Sequence, residues 1–333
     1  MLKKFSVSNY KCFFDEITLT LTKGRYDFSN QMVDGKDITK ALFYGRTGCG
    51  KTIFFEALSD ISNRLYSGTM PVDFMMYDRI RLGYIPVFNY VFIIDGKEVR
   101  IKYTLREDNS LGDVSIYIDE GEAVFTIPEG GGLCDMETRY MPLLKIKDML
   151  FDFIRGISMV KLSEVSLEDP LVGLPSPDAV AGCNEFLEEV LPYNRFAVKH
   201  LERSGFHLGY AFELYGDEVS SDIVSRSVKA AVAIYNIITH YGDLGLICID
   251  DFNFFDYDTS VRLLMKLYET KPQVFISTNN TYLMKNDFSR PDCVFHMQND
   301  KVLSIDNCTE KFIKFGTNTE KVFRGGGFNF EQY

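Results

Sequence analysis

The chain has 333 residues, with 36 Lys and Arg against 47 Asp and Glu and a formal net charge of −11. At 46% hydrophobic and 14% aromatic it is a globular chain, long enough for one large α/β domain or a core carrying a smaller insertion. That balance excludes a disordered chain and a body that binds nucleic acid over its whole surface, while leaving a local basic patch open.

No apolar run is long enough to span a bilayer. The start, Met1-Leu2-Lys3-Lys4-Phe5-Ser6, lacks the apolar core of a secretory signal. The seven cysteines are scattered without a Cys-x-x-Cys pair, so neither a zinc site nor a disulfide framework is indicated. A reducing cytoplasm is the expected compartment, with no membrane contact.

In chain order, residues 2–9 and 17–21 alternate apolar and polar side chains and read as two strands joined near Asp15. A polar loop over 23–39 leads to a short apolar strand, 41–44. That strand runs into Gly45-Arg46-Thr47-Gly48-Cys49-Gly50-Lys51-Thr52, and a helix is expected from there to about Tyr66. Strand before and helix after is the context that makes this pattern a phosphate-binding loop. Its glycines let backbone N–H groups turn inward as an anion nest, and the helix start adds its positive end. Lys51 is expected at the outer phosphates of a nucleoside triphosphate and the Thr52 hydroxyl on Mg²⁺. Cys49 precedes a helix start and Lys51, features that lower a thiol's pKa. The plainer reading, a small residue at a variable position, is preferred.

Two hairpins follow, 89–94 with 98–105 around Asp95-Gly96, and 113–119 with 122–127 around Glu120-Gly121. They suggest an antiparallel side sheet beside the nucleotide. Residues 141–157 show helical spacing, with Leu144, Met149, Phe153 and Ile157 among the apolar positions. The segment 163–178, with three prolines and several acids, is expected to be exposed. Residues 184–203 read as helix on both sides of Pro192, 206–214 as strand and 225–241 as an amphipathic helix.

A buried strand over 244–249 ends in Asp250-Asp251, at the edge where parallel α/β sheets hold ligands. Asp250 is placed to hold Mg²⁺, and Asp251 to polarise an attacking water. ATPases of this layout usually carry Glu at the second position, one methylene longer. A helix over 260–268 precedes another buried strand, 273–277, ending in Thr278-Asn279-Asn280. Residues 293–297 and 301–305 close the sheet as a hairpin, and the glycine-rich end, 324–333, is expected to be flexible until something binds it. His200, His207, His240 and His296 show no metal-ligand spacing.

The opening LKKFSVSNYKCFFDEITLTL resembles the start of RecF-, Rad50- and OLD-type ABC ATPases, and the chain is most similar to the AAA15 group, the RloA-like and abortive-infection ATPases. EVRIKYTL, CIDDF, PQVFISTNNTYLM, FSRPDCVFHMQNDKVLSI and TEKVFRGGGFNFEQY extend the resemblance over nearly the whole chain. It implies an α/β ABC-ATPase head with a mostly parallel core sheet, an antiparallel side sheet and a short helical insertion. The expected division is 1–140 and 205–333 for the head and 141–204 for the insertion. The resemblance further implies ATP and Mg²⁺, a homodimer or higher oligomer with ATP sandwiched between one head's loop and its partner's signature segment, and a role in bacterial antiphage defence beside a separate effector such as a nuclease or toxin.

Three positions depart from that pattern. The signature of the group resembles Ser-x-Gly-Thr-Lys, and the stretch in register is Ser225-Arg226-Ser227-Val228-Lys229, without the glycine that permits close backbone approach to a γ-phosphate. Arg226 and Lys229 can still supply positive charge in trans. The switch position carries Asn279 in place of His, which can hydrogen-bond but not take up a proton near neutral pH. With Asp251 for Glu, all three point to intact nucleotide binding and slow hydrolysis. The competing readings are a RecF- or Rad50-like ATPase clamping DNA itself, and an interaction module without turnover. The acidic balance, the short 141–203 segment without sustained heptads and the lack of a recognisable nuclease region favour the defence reading. The segment 163–178 and the tail are candidate docking surfaces for an effector.

Overall fold

The structure is a computed structural model and describes residues 1–68, 70–71, 79–123, 125–128, 130–165, 179–203, 206–240, 245–298 and 301–329. Two six-stranded sheets organise it. In the core sheet the order is Ile157–Lys161, Leu246–Asp250, Gln273–Thr278, Lys40–Tyr44, Val294–Gln298 and Lys301–Ser304. The first five run parallel and the last returns antiparallel. We call these, from the outside in, the edge strand (Ile157–Lys161), the acidic strand (Leu246–Asp250), the switch strand (Gln273–Thr278) and the loop strand (Lys40–Tyr44). Every residue of the last three is buried. A strand covered on both faces has no polar side to alternate with, so each reads as an unbroken apolar run in the sequence.

The side sheet is antiparallel throughout, in the order Ile17–Thr20, Leu2–Ser8, Val87–Ile94, Lys97–Leu105, Leu111–Ile118 and Gly121–Ala123. Asp95 and Gly96 both take positive φ, +50° and +74°, the twist that a two-residue hairpin turn needs. The loop helix, Lys51–Tyr66, is wedged between the two sheets. Phe54 meets Phe43 of the loop strand and Phe5 of the side sheet, at ring separations of 5.9 and 5.5 Å. On the side-sheet face, Tyr103 donates to Asp60 at 2.7 Å and Tyr90 to the Ala57 carbonyl at 2.8 Å. The buried Arg64 bonds the same Asp60 (3.2 Å) and Asn109 (2.8 Å). These polar groups are admissible in the interior because each has its partner.

Several expectations from the sequence are corrected. The helix Met141–Arg155 stops at Gly156, and Ile157, expected as the helix end, instead begins the edge strand of the core sheet, Ile157–Lys161. Its buried face is Leu143, Ile146, Leu150, Phe151 and Ile154, while Leu144 and Met149 lie 46% and 52% exposed. The apolar stripe is therefore turned about one residue from the one expected. Beyond the helix Val180–Val190, Pro192 is followed by a strand, Phe196–Arg203, paired with Phe206–Leu214. Asn184 holds this strand at both its Val198 groups, accepting from N–H at 2.7 Å and donating to C=O at 3.1 Å. The tail is not loose as far as residue 329. A helix, Thr319–Arg324, is capped by the Asn318 side chain, Phe328 is buried, and Asn329 N–H bonds the Cys308 carbonyl at 2.8 Å. The rest of the candidate docking surfaces, 166–178 and 330–333, lies outside the described residues. Among the described residues no helix is long and apolar enough to cross a membrane.

Candidate nucleotide site

The loop strand is fixed from below by Lys40, which is buried and donates to the carbonyls of Thr270 (2.7 Å) and Pro272. Burial pushes its ammonium down to about 8. Above it the chain enters the glycine loop. A Cβ on Gly45 would collide with Cys49 Sγ and lie 2.9 Å from the Met297 carbonyl oxygen, so only glycine fits. The Cys49 side chain thus packs into the loop's own turn. Gly50, at φ +93°, is the residue from which the loop helix starts. Arg46, Thr47 and Gly48 form the exposed tip.

Lys51 is buried and its Nζ donates to the carbonyls of Gly45 (2.6 Å) and Arg46 (3.3 Å). Its ammonium is thus held over the mouth of the loop. One residue on, Thr52 Oγ1 donates to Asp250 Oδ2 at 2.6 Å. Asp250 is fully buried at the end of the acidic strand, and its other oxygen accepts from Ser277 Oγ of the switch strand. A hydroxyl and a carboxylate side by side, both oxygen donors, suit a hard cation such as Mg²⁺. No cluster of three or more His, Cys, Asp or Glu that could hold a metal is found among the described residues. Thr52 and Asp250 would hold a cation here, with phosphate oxygens and water completing its shell.

Asp251 takes a left-handed backbone conformation, φ +60°. Its N–H donates to Ser277 Oγ (3.1 Å), its carbonyl accepts from Asn253 N–H (2.7 Å), and its Oδ2 accepts from Ser163 Oγ (2.7 Å). Ser277 therefore joins both acids. The turn after the acidic strand is tied to the switch strand again through Asn253, whose side-chain oxygen accepts from Thr278 Oγ1 (3.0 Å) and Asn279 N–H (2.8 Å). Asn279 itself is exposed at the end of that strand.

The signature stretch stands apart. Ser225 precedes the helix Arg226–His240, with its Oγ accepting from Val228 N–H at 3.4 Å, and Arg226 is exposed. Ser227 Oγ donates to the Phe254 carbonyl at 2.8 Å, which docks the helix start on the turn beyond Asp251. Lys229 is half-buried. Among the described residues, none of Ser225, Arg226, Ser227 and Lys229 has a hydrogen bond to loop 45–52. Beside this helix start opens a groove of about 490 Å³, lined by Leu191, Phe196, Leu214, Tyr215 and Val228.

Sequence reasoning missed a third wall. Glu56, one turn beyond Thr52, accepts from Lys11 (2.8 Å) and Lys161 (2.9 Å). Burial pushes the Glu56 carboxyl up, and the two lysines outweigh it, leaving it below the ordinary value. For Lys161 burial works downward, and Glu56, Glu164 and Asp250 outweigh it, so its ammonium titrates above the usual range. The turn holding Lys11 also rests Phe13 against Gly50, while Phe14 is exposed with the Arg79 guanidinium 4.1 Å from its ring centre. Behind the loop, buried His296 stacks on Tyr44, and burial with the nearby Arg46 charge brings its pKa down to about 4.

No protein-family model matches the chain, and no curated protein matches it. Among solved structures it is similar to an SMC head domain from Thermotoga maritima, at 12% identity over 91% of this chain and 98% of that one, with a TM-score of 0.47. It is also similar to two structures of the recombination mediator protein RecF in the RecFOR pathway. The RecF-ATP structure aligns at 14% identity over 91% and 98%, TM-score 0.45, and the RecF-ATPrS structure at 13% over 91% and 97%, TM-score 0.43.

Proposed function

We propose that this chain is an ABC-type ATPase head that binds ATP with Mg²⁺ at loop 45–52 and hydrolyses it slowly. The observation that carries the reading is the meeting of Thr52 Oγ1 and Asp250 Oδ2 at 2.6 Å beside the buried Lys51. Two separate elements, the start of the loop helix and the end of the acidic strand, deliver a cation, a hydroxyl and a carboxylate to the mouth of an anion-binding turn. The turn of Gly45, Arg46, Thr47, Gly48, Cys49 and Gly50 cradles the phosphates, with the Gly45 and Cys49 N–H groups held by the Thr278 (3.4 Å) and Arg46 (3.2 Å) carbonyls, and Lys51 exchanges its loop carbonyls for phosphate oxygens. Thr52 and Asp250 hold Mg²⁺, which supplies charge neutralisation on the phosphates when bound. Asp251 orients and deprotonates the attacking water, and Asn279 offers the γ-phosphate a hydrogen bond without a proton store.

Ser225 and Arg226, which are exposed, with the half-buried Ser227 and Lys229, serve the other head of a homodimer, closing on its nucleotide. The division into head segments 1–140 and 205–333 and an inserted segment 141–204 belongs to the same reading. From the resembling stretches we assign the dimer as a sensor or scaffold in antiphage defence that controls a separate effector. ATP titration with and without Mg²⁺, with sedimentation in each state, tests the core of this. Micromolar, Mg²⁺-dependent binding that drives dimerisation supports it, and a monomer indifferent to ATP sinks it. A steep ATP-dependent salt slope in DNA binding would favour direct DNA clamping instead.

A further inference from the structure

Ser163 is the middle residue of the short turn Leu162–Glu164 that follows the edge strand, and its hydroxyl reaches Asp251 Oδ2 at 2.7 Å. We propose that Ser163 is a positioning residue for Asp251: its hydrogen bond sets the carboxylate rotamer from which Asp251 acts on the attacking water. This deepens the ATPase reading and rests on it.

Asp251 holds a left-handed backbone, a region that most side chains avoid and that aspartate and asparagine enter more readily than others. The backbone is nevertheless held there from both sides, by Ser277 Oγ on its N–H and Asn253 N–H on its carbonyl. That fixes Cα and leaves two rotatable bonds, Cα–Cβ and Cβ–Cγ, to aim a carboxylate one methylene shorter than glutamate. The Ser163 hydrogen bond restrains both. Oδ2 is occupied by the Ser163 hydroxyl, and Oδ1 has no hydrogen-bond partner among the described residues. One oxygen is anchored and the other is available to a water. The serine itself is well placed to be rigid, because Leu162 is buried beneath it and Lys161 pairs in register with Asp250 on the neighbouring strand. Ser163 acts through Asp251.

The test uses the full chain and two substitutions, Ser163→Ala and Ser163→Thr, with ATP affinity and single-turnover hydrolysis at saturating ATP measured separately. Ser163→Ala is expected to leave ATP affinity within about two-fold and to slow hydrolysis on the order of ten-fold, the usual scale for losing a group that orients a reacting one. Ser163→Thr retains the hydroxyl and is expected to restore most of the rate. In an Asp251→Asn background the Ser163→Ala change is expected to add nothing, since the two act as a unit. Ser163→Ala hydrolysing at the wild-type rate, or slowing the Asp251→Asn protein by a further ten-fold, overturns the proposal while the ATPase reading stands. ATP binding without any wild-type hydrolysis also overturns it. A wild-type chain that binds no ATP removes the ATPase reading instead, and is recognised by the affinity measurement alone.

Discussion

The two halves of the proposed site are built to different standards. Around the glycine loop nearly every polar group has a partner from another element: Thr52 with Asp250, Asp250 with Ser277, Asp251 with Ser163 and Ser277, Glu56 with two lysines. At the signature stretch Ser225 and Arg226 stand exposed, and only Ser227 reaches across to another segment. A preorganised half needs no outside help to recognise a triphosphate, because its reorganisation is already done. The open half has no ligand of its own to hold, which is what a surface meant for a second head's nucleotide requires. Binding should therefore depend on the first half alone, and turnover on both.

The largest expected effect comes from the built half. Lys51→Ala removes the one buried ammonium facing the loop mouth among the described residues and is expected to weaken ATP binding roughly a hundred-fold, the scale of a lost charge-assisted contact in a desolvated place. Fluorescent-nucleotide titration measures it. An affinity within a few-fold of wild type would erase the distinction between the halves.

The open half gives a sharper test. Arg226→Glu with Lys229→Glu is expected to keep ATP affinity and abolish ATP-driven dimerisation and turnover. Mixed in equal amounts with the Lys51→Ala chain, it is expected to recover up to about half of wild-type turnover, because neither variant pairs with itself and each mixed dimer carries one intact composite site of two. No recovery on mixing, read by phosphate release, means that the signature stretch does not work in trans.

What the sequence disclosed about this site follows the same divide between local and distant. Lys51, Thr52, Asp250 and Asp251 were legible because a few consecutive residues dictate their own backbone, a glycine turn into a helix and a buried strand ending in acids. Ser163 with Asp251 and Lys11 with Glu56 meet across 88 and 45 residues, and nothing in their spacing announces a contact. The core and side sheets were legible from their apolar runs and turns. The edge strand was not, because residues 157–161 continue an apolar pattern whose period changes only at Gly156. Likewise the strand Phe196–Arg203 is defined by pairing with Phe206–Leu214, which short-range periodicity does not reveal.

A smaller effect concerns acid. His296 is 7% exposed and its pKa is down to about 4, against 6.5 for an ordinary histidine. Between those values the unfolded chain takes a proton that the folded one refuses. Stability is therefore full above pH 6.5, falls as the pH drops toward 4, and changes no further from this group below that. At about 1.4 kcal/mol per unit the loss amounts to at most roughly 3 kcal/mol. Urea midpoints at pH 7.5 and 4.5 should fall further for wild type than for His296→Gln. Equal drops would show that the packing of His296 on Tyr44 is not what makes the built half acid-labile.

The smallest effect tests the lashing around Glu56. This carboxylate joins the Lys11 turn and the edge strand to the loop helix, with its side chain about a quarter exposed at 26%. Glu56→Gln is expected to cost about 1 kcal/mol at neutral pH, near the upper end for ion pairs that water still reaches. Because the folded carboxyl titrates below its ordinary value of 4.5, its contribution is present above that pH and is lost as the pH falls through the folded value. The gap between wild type and Glu56→Gln in chemical denaturation should therefore narrow as the pH falls below 4.5, and narrow sooner in high salt. A gap that stays the same throughout the acid range would mean that shape rather than charge holds this wall in place, and the built half would then owe its rigidity to packing alone.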